Sequence, residues 1–343
     1  MKFMPHVAML VALPLLACPM REHSKVREES PKTPAPVAQP VPGDGPTTAY
    51  VRRIYEDSRG QLWLGSNGEG VYRYTGVELL RTSTKEGLAG DQVRGILEDR
   101  QGCVWIATDQ GLSRFDSSMT RIVNFTAQDG LGAAAVWCVH EATDGTIWAG
   151  TTAGACRFDG QSFIPFDLRT AGMAAPFAPS VLCIAEDRAG NFYFGTDQGA
   201  YKTNGDGVER ITDAPTGSDA VITCLLVDGR GRIWIGSMTG GITCTDAGAT
   251  RHYTAPGTIG DNEVWTVLED RAGNIWFSSE GFGVYSVGDG NLKNIGTAEG
   301  LGITAVQSIH EDRQGRLWFG GGGGLYRMQG DTLVEVRRTG PWR

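Results

Sequence analysis

The stretch VRGILEDRQGCVWIATDQGLSRF, Val93 to Phe115, decides the fold. It opens with aliphatic residues alternating along Val93–Glu98, breaks at Asp99–Gly102, resumes as Val104-Trp105-Ile106-Ala107-Thr108, and breaks again at Gly111. Asp at the first place of a turn and Gly at the fourth suit type I geometry, in which the carboxylate caps nearby backbone N–H groups. The runs therefore predict two short strands joined by a tight turn, then a glycine hairpin into a third strand. A less regular fourth run lies at Ile122–Phe125.

Working outward, the same phrase recurs seven times. Units start at Val51, Val93, Val136, Val181, Ile222, Val264 and Val306, at spacings of 42, 43, 45, 41, 42 and 42 residues. Twelve residues into each unit stands Trp63, Trp105, Trp148, Tyr193, Trp234, Trp276 or Trp318, and three residues before each stands a glycine. Asp opens the turn in every unit but the third, where Ala142 replaces it and the turn must be held another way. No helical periodicity appears between the runs. A lone four-stranded sheet, apolar on both faces, cannot stand in water; a ring of such sheets, each packed on its neighbours, can. A period near 42 fits four strands per blade. The expected fold is all-β: a seven-bladed β-propeller over residues 49–343, four antiparallel strands per blade, with the repeated Trp as inter-blade wedge. Truncating one such Trp to Ala should cost about 3–5 kcal/mol.

Glycine supplies 49 of 343 residues, about twice the ordinary ~7%, as so many short turns require. The net charge is −8 and no basic block occurs, which excludes nucleic acid as the main partner because phosphate binding needs clustered Lys and Arg. Residues 1–18, MKFMPHVAMLVALPLLAC, pair one early charge, Lys2, with a short apolar run. That run is too short to span a bilayer and reads as a signal peptide over residues 1–17. Leu15-Leu16-Ala17-Cys18 resembles a bacterial lipobox, which implies cleavage before Cys18 and its lipidation; an ordinary secretory cut is the alternative. Residues 18–48 carry six prolines between Pro31 and Pro46 and read as a disordered tether, so the lipid alone would hold the protein at a membrane.

Two stretches, GLAGDQVRGILEDRQGCVWIATDQGLSRFD from Gly87 to Asp116 and GLGITAVQSIHEDRQGRLWFGGGGGLYRM from Gly300 to Met328, resemble the two-component regulator propeller repeat. The resemblance covers essentially all of residues 50–338. It implies the ligand-sensing, periplasmic part of sensor histidine kinases, often responsive to carbohydrates. Only five residues follow Arg338, so the expectation is a stand-alone sensing propeller without its own transmitter. Its partner would be a small-molecule or glycan ligand, or an envelope protein such as a sensor kinase. The expected location is the periplasmic face of the outer membrane, which Pro19 after the anchor favours; secretion or the cell surface is the alternative.

The second residue of each first strand does not repeat: Arg52, Arg94, Trp137, Leu182, Thr223, Trp265 and Gln307. If that strand is innermost, as the resemblance implies, these residues ring one mouth of the channel, with Gln92, Asn262 and Glu263 nearby. Arg, Trp and Gln there would stack on a sugar face or grip a carboxylate; the alternative is that they only fill the wedge. His140 and His310 share one position and each precedes a Glu. They resemble the histidines of streptogramin lyase, a seven-bladed propeller that uses histidines, a glutamate and a divalent cation. The Glu, however, recurs around the ring as architecture does, so no enzyme, cofactor or metal is expected, and a structural scaffold of an envelope complex is a further alternative. Cys138, Cys183 and Cys224 occupy the third first-strand position in three adjacent units, which reads as a demand for small side chains, with a disulfide or thiolate site as the alternative.

Overall fold

Each D-x-x-G turn carries the same clamp. In the second unit, Asp99 Oδ1 accepts the N–H groups of Gln101 and Cys103, both at 2.9 Å, while its Oδ2 takes the indole N–H of Trp105 at 2.7 Å. One carboxylate thus shapes the turn and fixes the wedge Trp on the strand behind it. Gly102 closes the turn at φ 77°, where a side chain would be strained. Equivalent bonds join Asp57 to Trp63, Asp228 to Trp234, Asp270 to Trp276 and Asp312 to Trp318. Tyr193 uses its hydroxyl on Asp187. In the third unit Asp144 Oδ1 caps Thr146 instead, and the indole N–H of Trp148 is buried without a partner.

The computed structural model describes residues 38–170, 178–204, 207–211, 220–253, 263–288, 291–303 and 305–342. The signal peptide, Cys18, residues 18–37 of the tether and Asn262 lie outside them. The described strands form seven antiparallel sheets in chain order, one per predicted unit. In blade two the strands are Val93–Glu98, Val104–Thr108, Gly111–Phe115 and Ile122–Phe125. The apolar clusters straddle consecutive blades. Trp63 and Val71 of blade one pack with Val93, Val104 and Phe115 of blade two, and Val51 and Leu64 pack with Trp318 and Leu325 of blade seven. The wedge role of Trp is therefore met, and the ring closes between the last blade and the first.

A second ring of contacts runs along the turns. The Glu ending each inner strand accepts a turn N–H from the preceding blade: Glu141 from Arg100, Glu186 from Thr143, Glu269 from Gly229, Glu311 from Arg271. Glu56 takes that of Arg313 and so latches blade seven to blade one. Only blade five lacks the acid, with Val227 in its place.

Part of the stretch read as disordered tether is structured. Gln39–Pro40 pairs with Leu80–Arg81 as a fifth strand on blade one, an edge position where a proline costs no ladder bond. Thr47 donates to the Val336 carbonyl at 2.7 Å. Near the C-terminus Trp342 is buried and stacks on Tyr74 at 4.3 Å. Proline content concealed this order because edge pairing makes no demand on alternation.

Candidate functional site at the channel mouth

A β-bulge builds the site. In six inner strands the register against the second strand slips at the second residue: Val51 pairs with Ser66 and Arg53 with Gly65, leaving Arg52 as the extra residue, and the same happens in blades two, three, four, five and seven. Bulges re-aim side chains, and this one collects Arg52, Arg94, Trp137, Leu182, Thr223 and Gln307 around one small cavity together with Arg53 and, from blade six, Trp265. In blade six Ser278 stands where most blades have Gly. Its hydroxyl accepts the N–H groups of Trp265 and Thr266, at 3.1 and 3.3 Å, and the inner ladder begins only at Val267.

The cavity holds about 20 Å³, room for roughly one water. Its floor is Arg53, which sequence reasoning passed over. Arg53 Nε donates to the Arg94 carbonyl at 2.6 Å and Nη1 to the Gln307 carbonyl at 3.1 Å, bridging blades two and seven from blade one. Burial, then the neighbouring Arg52, lower its pKa. The signal was a charge at the third inner-strand position, which is Gly, Cys, Thr or Ser in every other unit. Above it, the Arg94 guanidinium lies 4.0 Å over the ring of Trp137. Arg94 Nε and Nη1 and Trp137 Nε1 are sealed from solvent without a hydrogen-bond partner, a costly condition for polar groups. Burial and Arg52 lower the pKa of Arg94 as well.

Trp265 is held differently. Its indole N–H is shared between Glu263 and Glu280, at 2.9 and 3.0 Å. Burial and the hydrogen bond to Glu280 raise the Glu263 carboxyl. Arg52 reaches Asn67 at 3.1 Å. Gln92 does not line the cavity: its N–H goes to Asp109 at 3.2 Å.

The two histidines are not brought together. His140 packs in the wedge of blades three and four, edge-on to Phe192 and 3.7 Å from Glu186. His310 lies opposite Trp318 in blade seven, and burial pushes it down to about 4. Among the described residues no group of three or more His, Cys, Asp or Glu is placed to hold a metal. The six described cysteines are free thiols. Cys138 and Cys224 are raised by burial to about 12, and burial raises Cys183 well above its ordinary value. Their sulfurs occupy the space that a Cβ on Gly150, Gly195 and Gly236 would claim, so thiol and glycine are complementary packing partners.

With this geometry in hand, five segments, 45–68, 87–110, 216–239, 258–281 and 300–323, match the family described as two component regulator propeller. No curated protein sequence matches the chain. Among solved structures, the chain is similar to the extracellular domain of a B. thetaiotaomicron protein described as a hybrid two component system, with a TM-score of 0.67 and 20% identity over 81% of this chain and 39% of that one. A second B. thetaiotaomicron extracellular domain, of a protein described as a one component system, gives 0.68 and 19% over 85% and 40%. The chain thus spans about two fifths of the length of both domains. Virginiamycin B lyase from Staphylococcus aureus, in a catalytically inactive form with quinupristin, gives 0.65 and 13% over 84% and 96%. At these identities the likeness is one of fold. No helix among the described residues is long and apolar enough to cross a membrane.

Proposed function

We propose that this two component regulator propeller is a non-catalytic recognition module, acting outside the cytoplasm, that takes a carboxylate-bearing ligand at the mouth of its channel. One observation carries the reading: at the second inner-strand position, which does not repeat, the bulge gathers Arg94 on Trp137, with buried Nε and Nη1 donors that no protein group accepts. A carboxylate oxygen supplies that acceptor, and a guanidinium presents the matching fork. With about 20 Å³ available, only the charged end of the ligand enters; the rest lies on the outer rim. The separate placement of His140 and His310 favours recognition over lyase chemistry.

A calorimetric and thermal-shift screen of organic acids and acidic glycans against the chain tests this. Arg94→Gln and Trp137→Ala should each weaken binding about tenfold or more, equivalent to about 1.4 kcal/mol, and leave the melting temperature nearly unchanged. A large drop in melting temperature, with no acid bound by the parent, would assign both residues to packing. The leader and the Leu-Leu-Ala-Cys sequence support a lipid anchor at Cys18. Cys18→Ser should move the protein from the membrane fraction to the soluble one.

A further inference from the structure

A second recess, independent of the channel, opens on the outer part of the wedge between blades three and four. It encloses about 590 Å³, within the range of small-molecule sites. The repeat is broken beside it. Ala142 replaces the clamp Asp, so the indole N–H of Trp148, in a side chain only 5% exposed, has no partner. Every other wedge aromatic donates to its turn carboxylate.

Around Trp148 the packing is also reorganised. Phe192 lies 4.6 Å and Phe166 5.0 Å from its ring, and both line the recess. In blades one, two and seven the Arg paired across the ladder from the wedge Trp lies over its ring, at 5.2, 5.4 and 5.8 Å. Arg157 holds the same register opposite Trp148. The phenylalanines crowd this ring, and Arg157 stands exposed in the recess with no ion pair or hydrogen bond among the described residues. At the rim Arg169 and Asp167 pair with each other, so Arg157 is the uncompensated charge of the lining.

We propose that this recess is a binding site for an aryl carboxylate. The planar ring packs on Phe166 and Phe192 in the offset or edge-on manner aromatic groups prefer. The carboxylate pairs with Arg157, and a ligand oxygen accepts the Trp148 N–H that no protein group takes.

Titrating 4-hydroxybenzoate into the 15N-labelled chain, with the Trp148 indole resonance assigned through Trp148→Phe, tests the site. A saturable shift of that resonance is expected. Arg157→Gln should weaken binding about tenfold. Ala142→Asp, which restores the clamp of the other blades, should raise the melting temperature and weaken binding at least as much. The Trp137 indole resonance reports the channel mouth, so a shift that saturates at Trp148 independently of Trp137 keeps this site distinguishable from that one. The proposal is overturned by no shift of the Trp148 resonance at saturating probe, by parent-like binding in Arg157→Gln, or by a lowered melting temperature in Ala142→Asp.

Discussion

Replacing Asp312 with Ala removes one side chain and four hydrogen bonds. The carboxylate accepts the N–H groups of Gln314 and Arg316 at 2.9 Å, Arg316 Nε at 2.6 Å and Trp318 Nε1 at 2.8 Å. The turn donors border solvent and are rehydrated, but Trp318 is fully buried, so its N–H is left unpaired. An unpaired buried donor costs about 1–3 kcal/mol, and with the lost charged contacts the total comes to about 3–4 kcal/mol. For a domain of this size that lowers the melting temperature by about 6–16 °C. Acid provides a second reading. Burial alone would raise the Asp312 carboxyl, but the bonds from Trp318 and Arg316 outweigh it and hold the pKa below the usual 3.8. A carboxyl depressed in the folded state stabilises fully above its unfolded pKa, and that contribution disappears as pH falls through the folded value. The gap between parent and Asp312→Ala, followed by circular dichroism melts, should therefore be full at pH 7 and narrow below about pH 4. Equal melting temperatures at neutral pH, or a gap indifferent to acid, would refute the clamp.

Gly195→Ala should destabilise by about 2–4 kcal/mol, because its Cβ would lie 2.7 Å from Ile222 Cγ2 and closer still to Cys183 Sγ; adding Cys183→Ala should recover part of the loss in denaturant titrations. His310, lowered to about 4 by burial, stabilises the fold above its unfolded pKa of ~6.5, and that contribution fades as pH drops from there towards about 4. His310→Leu should flatten this portion of the stability–pH curve. Cys224, buried, and Cys138 and Cys183, half-buried, all raised in pKa, should react slowly with a thiol reagent in the native state and fast once unfolded.

The ring was legible because its turn, wedge and spacing recur with few departures, so one unit read correctly reads the rest. The mouth residues were legible for the opposite reason: Arg52, Arg94, Trp137, Trp265 and Gln307 share a place where the pattern does not repeat. The bulge that turns them inward was not, since a slipped register leaves no mark in composition. Arg53 was hidden because every counterpart at its place is small. Ala142 was noticed as a broken turn, but its effect on Trp148, six residues away, requires knowing that one carboxylate serves both. The edge strand at Gln39–Pro40 escaped because proline is read first as a breaker.

Arg53, on the inner strand of blade one, is tied to carbonyls of the two flanking blades. One guanidinium therefore ties the last blade to the first two, across the seam where the ring closes.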